Sequence, residues 1–311
     1  MLRSALRSLL CAAGLLAAQP ALAGAEAPFL WELQGPKATH YLLGSFHLLP
    51  ESASPLPPAF DRAYAASAGL VLETDIAALS EPDLQLRLLA AAKADKPLKA
   101  QIPAPLYERL TRRAAAVEMP VSVCDPFKPW FCAMSLELFA YQRDGFRPDL
   151  GIDQQMFDRA VADQKPVQWL EQPDVHLSLF TDMPAAQSEQ FLAATVDQLT
   201  EAGQSPETLL QLWKSGDAAG MEKLVRDLKA RSPATYERLL AGRNRAWLTR
   251  LAPMLDAERA QLVVVGAAHL YGPDGLVSLL QQRGYRVQPV SEEAAPVTPE
   301  GQPAAGAPAV D

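Results

Sequence analysis

The chain has 311 residues, of which 49% are hydrophobic, and it carries a net charge of −8 with an isoelectric point of about 5.1. This acidic balance, and the lack of any basic run interleaved with aromatic residues, argue against a nucleic-acid partner. The apolar content is that of a globular protein with a full core.

The first 23 residues have the pattern of a secretory signal peptide. Arg3 and Arg7 precede a short apolar stretch, and Ala21-Leu22-Ala23 has the small-x-small form that signal peptidase reads. The apolar stretch is too short to span a bilayer. We therefore predict cleavage after Ala23, no membrane anchor after cleavage, and a periplasmic or secreted protein.

Short apolar runs alternate with helical periodicity along the rest of the chain. This alternation predicts an α/β fold with a central mixed, mostly parallel sheet flanked by helices. The predicted strands, in chain order, are Phe29–Leu33, Thr39–Leu43, Leu70–Leu72, Val121–Val123, Val167–Leu170, Leu262–Val265 and Tyr285–Val290.

The predicted domain covers residues 24–290. Helical patterns fill residues 173–255, which predicts a helical insertion before the last two core strands. Residues 291–311 are rich in alanine, proline and glutamate, and we expect them to form a disordered tail.

Two Gly-x-x-His tetrads are the most informative motif. Gly44-Ser45-Phe46-His47 and Gly266-Ala267-Ala268-His269 each follow a predicted strand, in a chain with only four histidines. We expect Gly44 and Gly266 to permit a sharp turn or a close approach at the strand end. Two imidazoles at neighbouring strand ends would form a metal site or an acid–base site.

Two glutamates repeat this placement. Glu73 follows Leu70–Leu72, and Glu171 follows Val167–Leu170. A carboxylate at the end of a buried run is costly unless it is paired, bound to a metal or in a cleft. The alternative is that both acids are ordinary helix-start or ion-pairing residues. Two imidazoles and two carboxylates suit a divalent cation as well as a metal-free acid–base site.

Some of the other polar residues are candidates for the functional site, and others are expected to lie outside it. Arg243, on a predicted long helix, could clamp a substrate carboxylate or stabilise an oxyanion, or it could simply cover the helix surface. His40 and His176 are expected to be surface or satisfied core residues. Cys124 and Cys132 form a disulfide in an oxidising compartment, or they remain two buried thiols.

Taken together, these landmarks resemble the TraB/PrgY/GumN family, in its exported bacterial branch. The matching segments, from about residue 29 to 290, are Gly44–His47, Leu72-Glu73-Thr74-Asp75, Gly151-Ile152-Asp153, Trp169-Leu170-Glu171, Arg243-Asn244 with Trp247, and Gly266–Leu270. The resemblance implies a fold similar to the erythromycin-esterase and ChaN-like proteins.

The resemblance also implies a chemistry, because animal relatives called Tiki are metal-dependent proteases. By that likeness His47, Glu73 and His269 would bind a divalent cation, either zinc, manganese or cobalt. Glu73 or Glu171 would then act as a general base. Arg243 and Asn244 match a polar pair of the family and would contact substrate.

Three functions follow as expectations. The first is an exported metal-dependent hydrolase, a peptidase in particular, that acts on a peptide or small-molecule substrate. The second is a non-catalytic periplasmic protein that binds or sequesters a peptide or small molecule. The third is a metal-free, esterase-like hydrolase in which one histidine is the base for water.

Overall fold

The computed structural model of the chain describes residues 26–200 and 205–291. The signal peptide predicted for residues 1–23 lies outside these ranges, and so does the predicted tail, apart from Ser291, which ends the last strand. Within the described ranges, no helix is both long and apolar enough to cross a membrane.

Six strands form one mixed sheet, and this confirms the predicted α/β class. Their order across the sheet is β4-β3-β5-β2-β1-β6. Neighbours from β4 to β2 are parallel, whereas β1 runs antiparallel to both β2 and β6. The strands are β1 Glu26–Gln34, β2 Thr39–Ser45, β3 Gly69–Leu72, β4 Val167–Trp169, β5 Gln261–Gly266 and β6 Arg286–Ser291.

Helices cover the sheet and fill the connections. Proline stands at the first position of several of them, where its missing N–H group costs no helical hydrogen bond. They are α1 Pro58–Ala66, α2 Ile76–Leu79, α3 Pro82–Ala92, α4 Ala104–Ala116, α5 Pro129–Arg143, α6 Ile152–Ala162, α7 Pro173–Thr181, α8 Ala185–Gln198, α9 Pro206–Lys214, α10 Ala218–Arg231, α11 Pro233–Tyr236, α12 Gly242–Leu255 and α13 Leu276–Gln282.

The central strands are buried on both faces. Every residue of β3 and of β5 is buried, as continuous apolar runs in a parallel sheet require. Between β4 and β5 the described chain forms only helices, α7 to α12. The sheet therefore holds its carboxyl edge rigidly while helical segments surround that edge.

A second apolar core lies away from the sheet, between α4, α5 and α8. Leu110, Leu136 and Leu192, one from each helix, are completely buried. A disulfide joins Cys124 to Cys132, with a Cα–Cα distance of 5.1 Å, and ties the segment before α5 to that helix.

One predicted strand is wrong. Val121–Val123 was expected to be a strand, but Val121–Cys124 is a 3₁₀ helix between α4 and α5. The run is only three residues long, and the disulfide and the second core hold it away from the sheet. Val121 is only partly buried and Val123 is exposed, so the run lacks the burial of a core strand, which a three-residue pattern does not reveal.

Candidate functional site

The carboxyl ends of four parallel strands bring distant residues together. Ser45 of β2 lies opposite Gly266 of β5, and Leu72 of β3 lies opposite Val264 of β5 and Trp169 of β4. In such sheets the segments that follow the strands share one edge, where ligands bind. This edge carries the four residues singled out in the sequence, which are His47, Glu73, Glu171 and His269.

Gly266 forms the floor of a small open space between three of these side chains. A Cβ atom placed on Gly266 would lie 3.0 Å from His47 Nε2, 3.4 Å from Glu73 Oε1 and 3.6 Å from His269 Cδ2. The edges of the two imidazoles therefore approach the same side of Gly266, where a side chain would be crowded and glycine is not. We call this space, bounded by His47, Glu73, Gly266 and His269, the Gly266 notch.

Close contacts account for both tetrad glycines. Gly44 lies inside β2, where an added Cβ would come within 3.0 Å of Leu270 Cδ1 and Phe29 Cβ. Gly266 has a φ of −53°, which any residue adopts. Neither glycine has a positive φ. The structure thus gives them the predicted close approach without the predicted turn geometry.

The guanidinium of Arg243 lies at the centre of the cluster. Its Nη2 donates to Glu73 Oε2 at 2.6 Å and to Glu171 Oε1 at 2.7 Å, and its Nε donates to Glu171 Oε2 at 3.2 Å. Its Nη1 donates to His269 Nε2 at 3.1 Å. All three charged side chains are nearly buried. Charge-assisted hydrogen bonds are strong in such surroundings.

The helix that carries Arg243 holds it from two sides. A π-helical segment, Glu237–Ala241, directly precedes α12, and Arg243 Nη1 also donates to the carbonyl of Leu239 in this segment at 3.3 Å. One turn further on, the Trp247 ring lies 4.5 Å from Arg243 Cζ. Trp247 Nε1 donates to Glu171 Oε2 at 2.8 Å. Single π turns within helices are frequent at functional sites.

His269 is a buried imidazole whose tautomer follows from its neighbours. Asn244 Nδ2 donates to the carbonyls of His269 and Asp274, at 3.1 and 2.8 Å. Its Oδ1 must therefore accept from His269 Nδ1, which lies 2.6 Å away. The proton is on Nδ1, so Nε2 is left as the acceptor that faces Arg243. Trp247 packs on the ring with 4.5 Å between centroids.

His47 is half open to solvent, with 53% of its side chain exposed. Its Nδ1 donates to Asp153 Oδ1 at 3.1 Å, and Ser45 Oγ donates to the same oxygen at 2.6 Å. Gly151 permits this arrangement, because a Cβ there would collide with the carbonyl oxygen of His47. The partner of His47 is thus a carboxylate, whereas the partner of His269 is a neutral amide.

The two imidazoles have opposite pKa shifts. Burial lowers the pKa of His47, but the charges of Asp153 and Glu73 outweigh burial and raise the pKa to about 9. Burial lowers the pKa of His269 to about 3; Glu73 opposes this effect and Arg243 adds to it. At neutral pH His47 is therefore a cation and His269 is neutral.

Both glutamates stay ionised. Burial raises the pKa of Glu73, but Arg243, the two histidines and the Gly266 N–H together outweigh burial and hold the pKa well below its usual range. Burial also raises the pKa of Glu171, and the hydrogen bonds from His176 and Arg243 outweigh it in the same way. Gly266 N donates to Glu73 Oε1 at 2.7 Å, which adds to its stabilisation.

Sequence reasoning missed two contacts of the site. Asp153 opens α6, and its only signal was its place in the segment Gly151-Ile152-Asp153. His176 was expected to be a surface or satisfied core residue, but its Nδ1 is 2.7 Å from Glu171 Oε1. His40 is a satisfied core residue, as expected, because its ring bonds the backbone of Leu255 and Gln261.

The metal ion implied by the resemblance does not fit this arrangement. Within residues 26–200 and 205–291, no three His, Cys, Asp or Glu side chains are placed to hold one ion. His269 Nε2 and Glu73 Oε2 already bond the guanidinium of Arg243. A divalent cation at this site, whether zinc, manganese or cobalt, stays a prediction.

The fold and the site define an α/β protein with a polar side-chain cluster at the carboxyl edge of its sheet, built from two Gly-x-x-His tetrads around a buried arginine. The model of the TraB/PrgY/gumN family matches residues 29–289. The chain therefore belongs to this family, as its landmarks predicted.

Two relatives extend this likeness across most of the chain. Uncharacterized protein YbaP of Shigella flexneri is 27% identical over 252 residues, which cover 80% of this chain and 90% of that protein. Uncharacterized protein YbaP of Escherichia coli (strain K12) is 26% identical over 244 residues, which cover 78% and 87%. No solved structure matches the chain.

Proposed function

We propose that the chain is a hydrolase of peptide or ester bonds and that His47 carries the proton in its reaction. The Gly266 notch is the observation that supports this proposal, because His47 Nε2 and Glu73 Oε1 both border it, at 3.0 and 3.4 Å from the position that a Cβ atom on Gly266 would take. A water molecule held between these two atoms, at contact distance in front of Gly266, would present its oxygen to a substrate carbonyl.

His47 is the group best suited to proton transfer. Asp153 accepts from Nδ1 and turns Nε2 toward the notch, as the acid of a catalytic triad does. In the proposed step, the neutral fraction of His47 takes a proton from the water as the water oxygen bonds to the carbonyl carbon. The imidazolium then gives that proton to the leaving nitrogen or oxygen as the bond to carbon breaks. A pKa of about 9 makes His47 a stronger base than His269.

Arg243 and His269 have supporting roles in this proposal. All five N–H groups of Arg243 are taken by acceptors of the cluster, so none is free for an oxyanion. Arg243 would instead hold the Glu73 carboxylate beside the notch. His269 is a positioning residue, because its Nε2 accepts from Arg243 and its Nδ1 is held by Asn244. The two tetrads thus supply one reacting imidazole and one that fixes the arginine.

Digestion of a peptide library and of a panel of chromogenic esters tests the proposal. His47→Gln and Asp153→Asn should each lower kcat/KM at least about 100-fold, within the range that general acid–base groups contribute. Asp149→Asn is the matched control, because Asp149 precedes the same helix and pairs only with exposed Arg147. Tight binding of peptides without product would instead favour the sequestering protein.

A metal-dependent peptidase is the second candidate. One observation favours it: Asp153 and Asn244 each hold the Nδ1 of an imidazole whose Nε2 faces the cluster, as outer partners of metal-binding histidines do. This candidate requires Arg243 to leave His269. Turnover that stops with a chelator and returns with zinc, manganese or cobalt would support it.

We also propose that the chain is exported. The disulfide between Cys124 and Cys132 supports this, because such bonds persist in oxidising compartments. Mass spectrometry of protein recovered from a periplasmic extract should find a chain that begins at Gly24 with both cysteines oxidised. An intact Met1 terminus with free thiols would contradict export.

A further inference from the structure

One cation lies where three segments of the chain converge. Glu73, Glu171 and His269 follow β3, β4 and β5, and each turns an acceptor atom toward Arg243, at distances between 2.6 and 3.2 Å. Carboxylate oxygens and imidazole nitrogens are also the ligand atoms of zinc and manganese sites. The guanidinium therefore occupies acceptor atoms that could otherwise attract a metal ion, although no three of the described side chains converge on one ion as they stand.

Charge balance explains why a cation is required here. The side chains of Glu73 and Glu171 are only 11% and 7% exposed. Two buried carboxylates so close together repel each other unless a positive charge lies between them. Arg243 supplies that charge. The N–H groups of Trp247 and Gly266 donate to one further oxygen on each carboxylate, at 2.8 and 2.7 Å.

The same contacts exclude a metal ion while Arg243 is in place. Ligand bonds to zinc from oxygen or imidazole nitrogen are about 2.0–2.2 Å long. An ion bonded to Glu73 Oε2 and His269 Nε2 would displace the guanidinium that bonds both atoms. The carbonyl of Leu239 and the ring of Trp247 hold that guanidinium in position.

We infer that Arg243 is the built-in cation of this site and supplies the positive charge that Glu73 and Glu171 would otherwise draw from a divalent metal ion. The native protein accordingly needs no metal, and the cluster gains metal affinity only when the guanidinium is removed. This inference goes beyond the proposed function, because it concerns cation binding whether or not the chain hydrolyses a substrate.

A cobalt titration tests the inference without any substrate. Metal-stripped wild type, Arg243→Ala and Arg245→Ala are titrated with Co²⁺ and followed by visible absorption and by thermal unfolding. Arg245 is the matched control, because it lies on the same helix, is exposed and pairs with Glu237. We expect only Arg243→Ala to bind one equivalent, at least about tenfold more tightly than wild type, with a rise in Tm of about 3 °C or more.

Two results would overturn the inference. One is stoichiometric Co²⁺ binding to the wild type that is lost in His269→Gln. The other is Co²⁺ binding by folded Arg243→Ala that is no tighter than wild type. Arg243→Met, which keeps an aliphatic stem against Trp247, replaces the alanine variant if that variant does not fold. Absent turnover in a separate assay would count against the hydrolase and leave the cobalt result intact.

Discussion

The two Gly-x-x-His tetrads share a spacing and an edge of the sheet, but their environments are opposite. His47 is half exposed and bonds a carboxylate, whereas His269 is buried and bonds an amide. Burial opposes the charge on His47, but Asp153 and Glu73 together outweigh burial and raise its pKa to about 9, whereas burial lowers the pKa of His269 to about 3. A shared motif therefore delivers two chemically different groups.

The difference shows that the partner residue, and not the tetrad, sets the role of each imidazole. A carboxylate stabilises an imidazolium, and an amide oxygen fixes one neutral tautomer. In our account His47 moves a proton, and His269 holds Arg243. Changes to a tetrad, to the partner of its histidine, or to Glu73 should therefore affect the two imidazoles differently.

The largest effect should come from Glu73→Gln, because Glu73 contacts both tetrads. The change removes one of the two carboxylates around Arg243, which Glu171 still pairs, and should lower the free energy of unfolding by about 3 kcal/mol. Urea denaturation measures this loss. The control, Glu237→Gln, breaks an exposed pair with Arg245 and should cost less than about 1 kcal/mol. Equal losses in the two variants would show that the buried ion pair stabilises the fold no more than the exposed pair does.

Alanine at the two tetrad glycines should separate packing from chemistry. Gly44→Ala forces a Cβ against Leu270, Phe29 and Ala267, and should destabilise the fold by about 1–3 kcal/mol. Gly266→Ala places a methyl group in the notch and should lower kcat about 100-fold while stability changes by less than about 1 kcal/mol. Thermal unfolding and turnover, measured on both variants, distinguish these outcomes. Full activity in Gly266→Ala would remove the notch from the mechanism.

Exchanging the partner types should move the two pKa values toward each other. Asn244→Asp brings a charge to His269 Nδ1 and should raise its pKa, whereas Asp153→Asn should lower that of His47, each by about 1–3 pH units. Imidazole NMR on each variant measures the change. The other histidine of the same variant serves as the internal control. Unmoved resonances would mean that the partners do not set protonation.

The smallest effect is on the pH dependence of stability. His47 has a raised pKa, so its contribution is full below pH 6.5 and is lost as pH rises through about 9. His269 has a lowered pKa, so its contribution is full above pH 6.5 and is lost as pH falls toward about 3. His47→Gln should therefore flatten the alkaline limb of a stability–pH curve, and His269→Gln the acid limb. If both variants changed the same limb of the stability–pH curve, the two pKa assignments would be contradicted.

Much of the placement of the site could be predicted from sequence. Each tetrad and each glutamate follows an apolar run, and ends of parallel strands share one edge. Strand order, however, depends on tertiary packing, so the opposition of Ser45 and Gly266 was not readable. Val121–Val123 shows the same limit, since a three-residue run with two valines has the pattern of a strand but forms part of a 3₁₀ helix in which Val123 is exposed.

The partners of the site residues were also beyond reach of the sequence. Asp153 and His176 stand at helix starts, where polar residues are ordinary, and only the fold brings them to His47 and Glu171. The central place of Arg243 depends on a π-helical segment that no periodicity indicates. The protonation states of the two tetrad histidines could therefore be assigned only after the structure showed their contacts.

The most direct test of the account is an NMR titration of the two imidazoles in the wild-type protein. We expect the ring of His47 to be protonated on both nitrogens at pH 7.5 and to titrate near pH 9. We expect His269 to remain the neutral Nδ1–H tautomer down to at least about pH 5. A neutral His47 at pH 7.5, or a His269 that titrates near 6.5, would contradict the division of roles between the two tetrads.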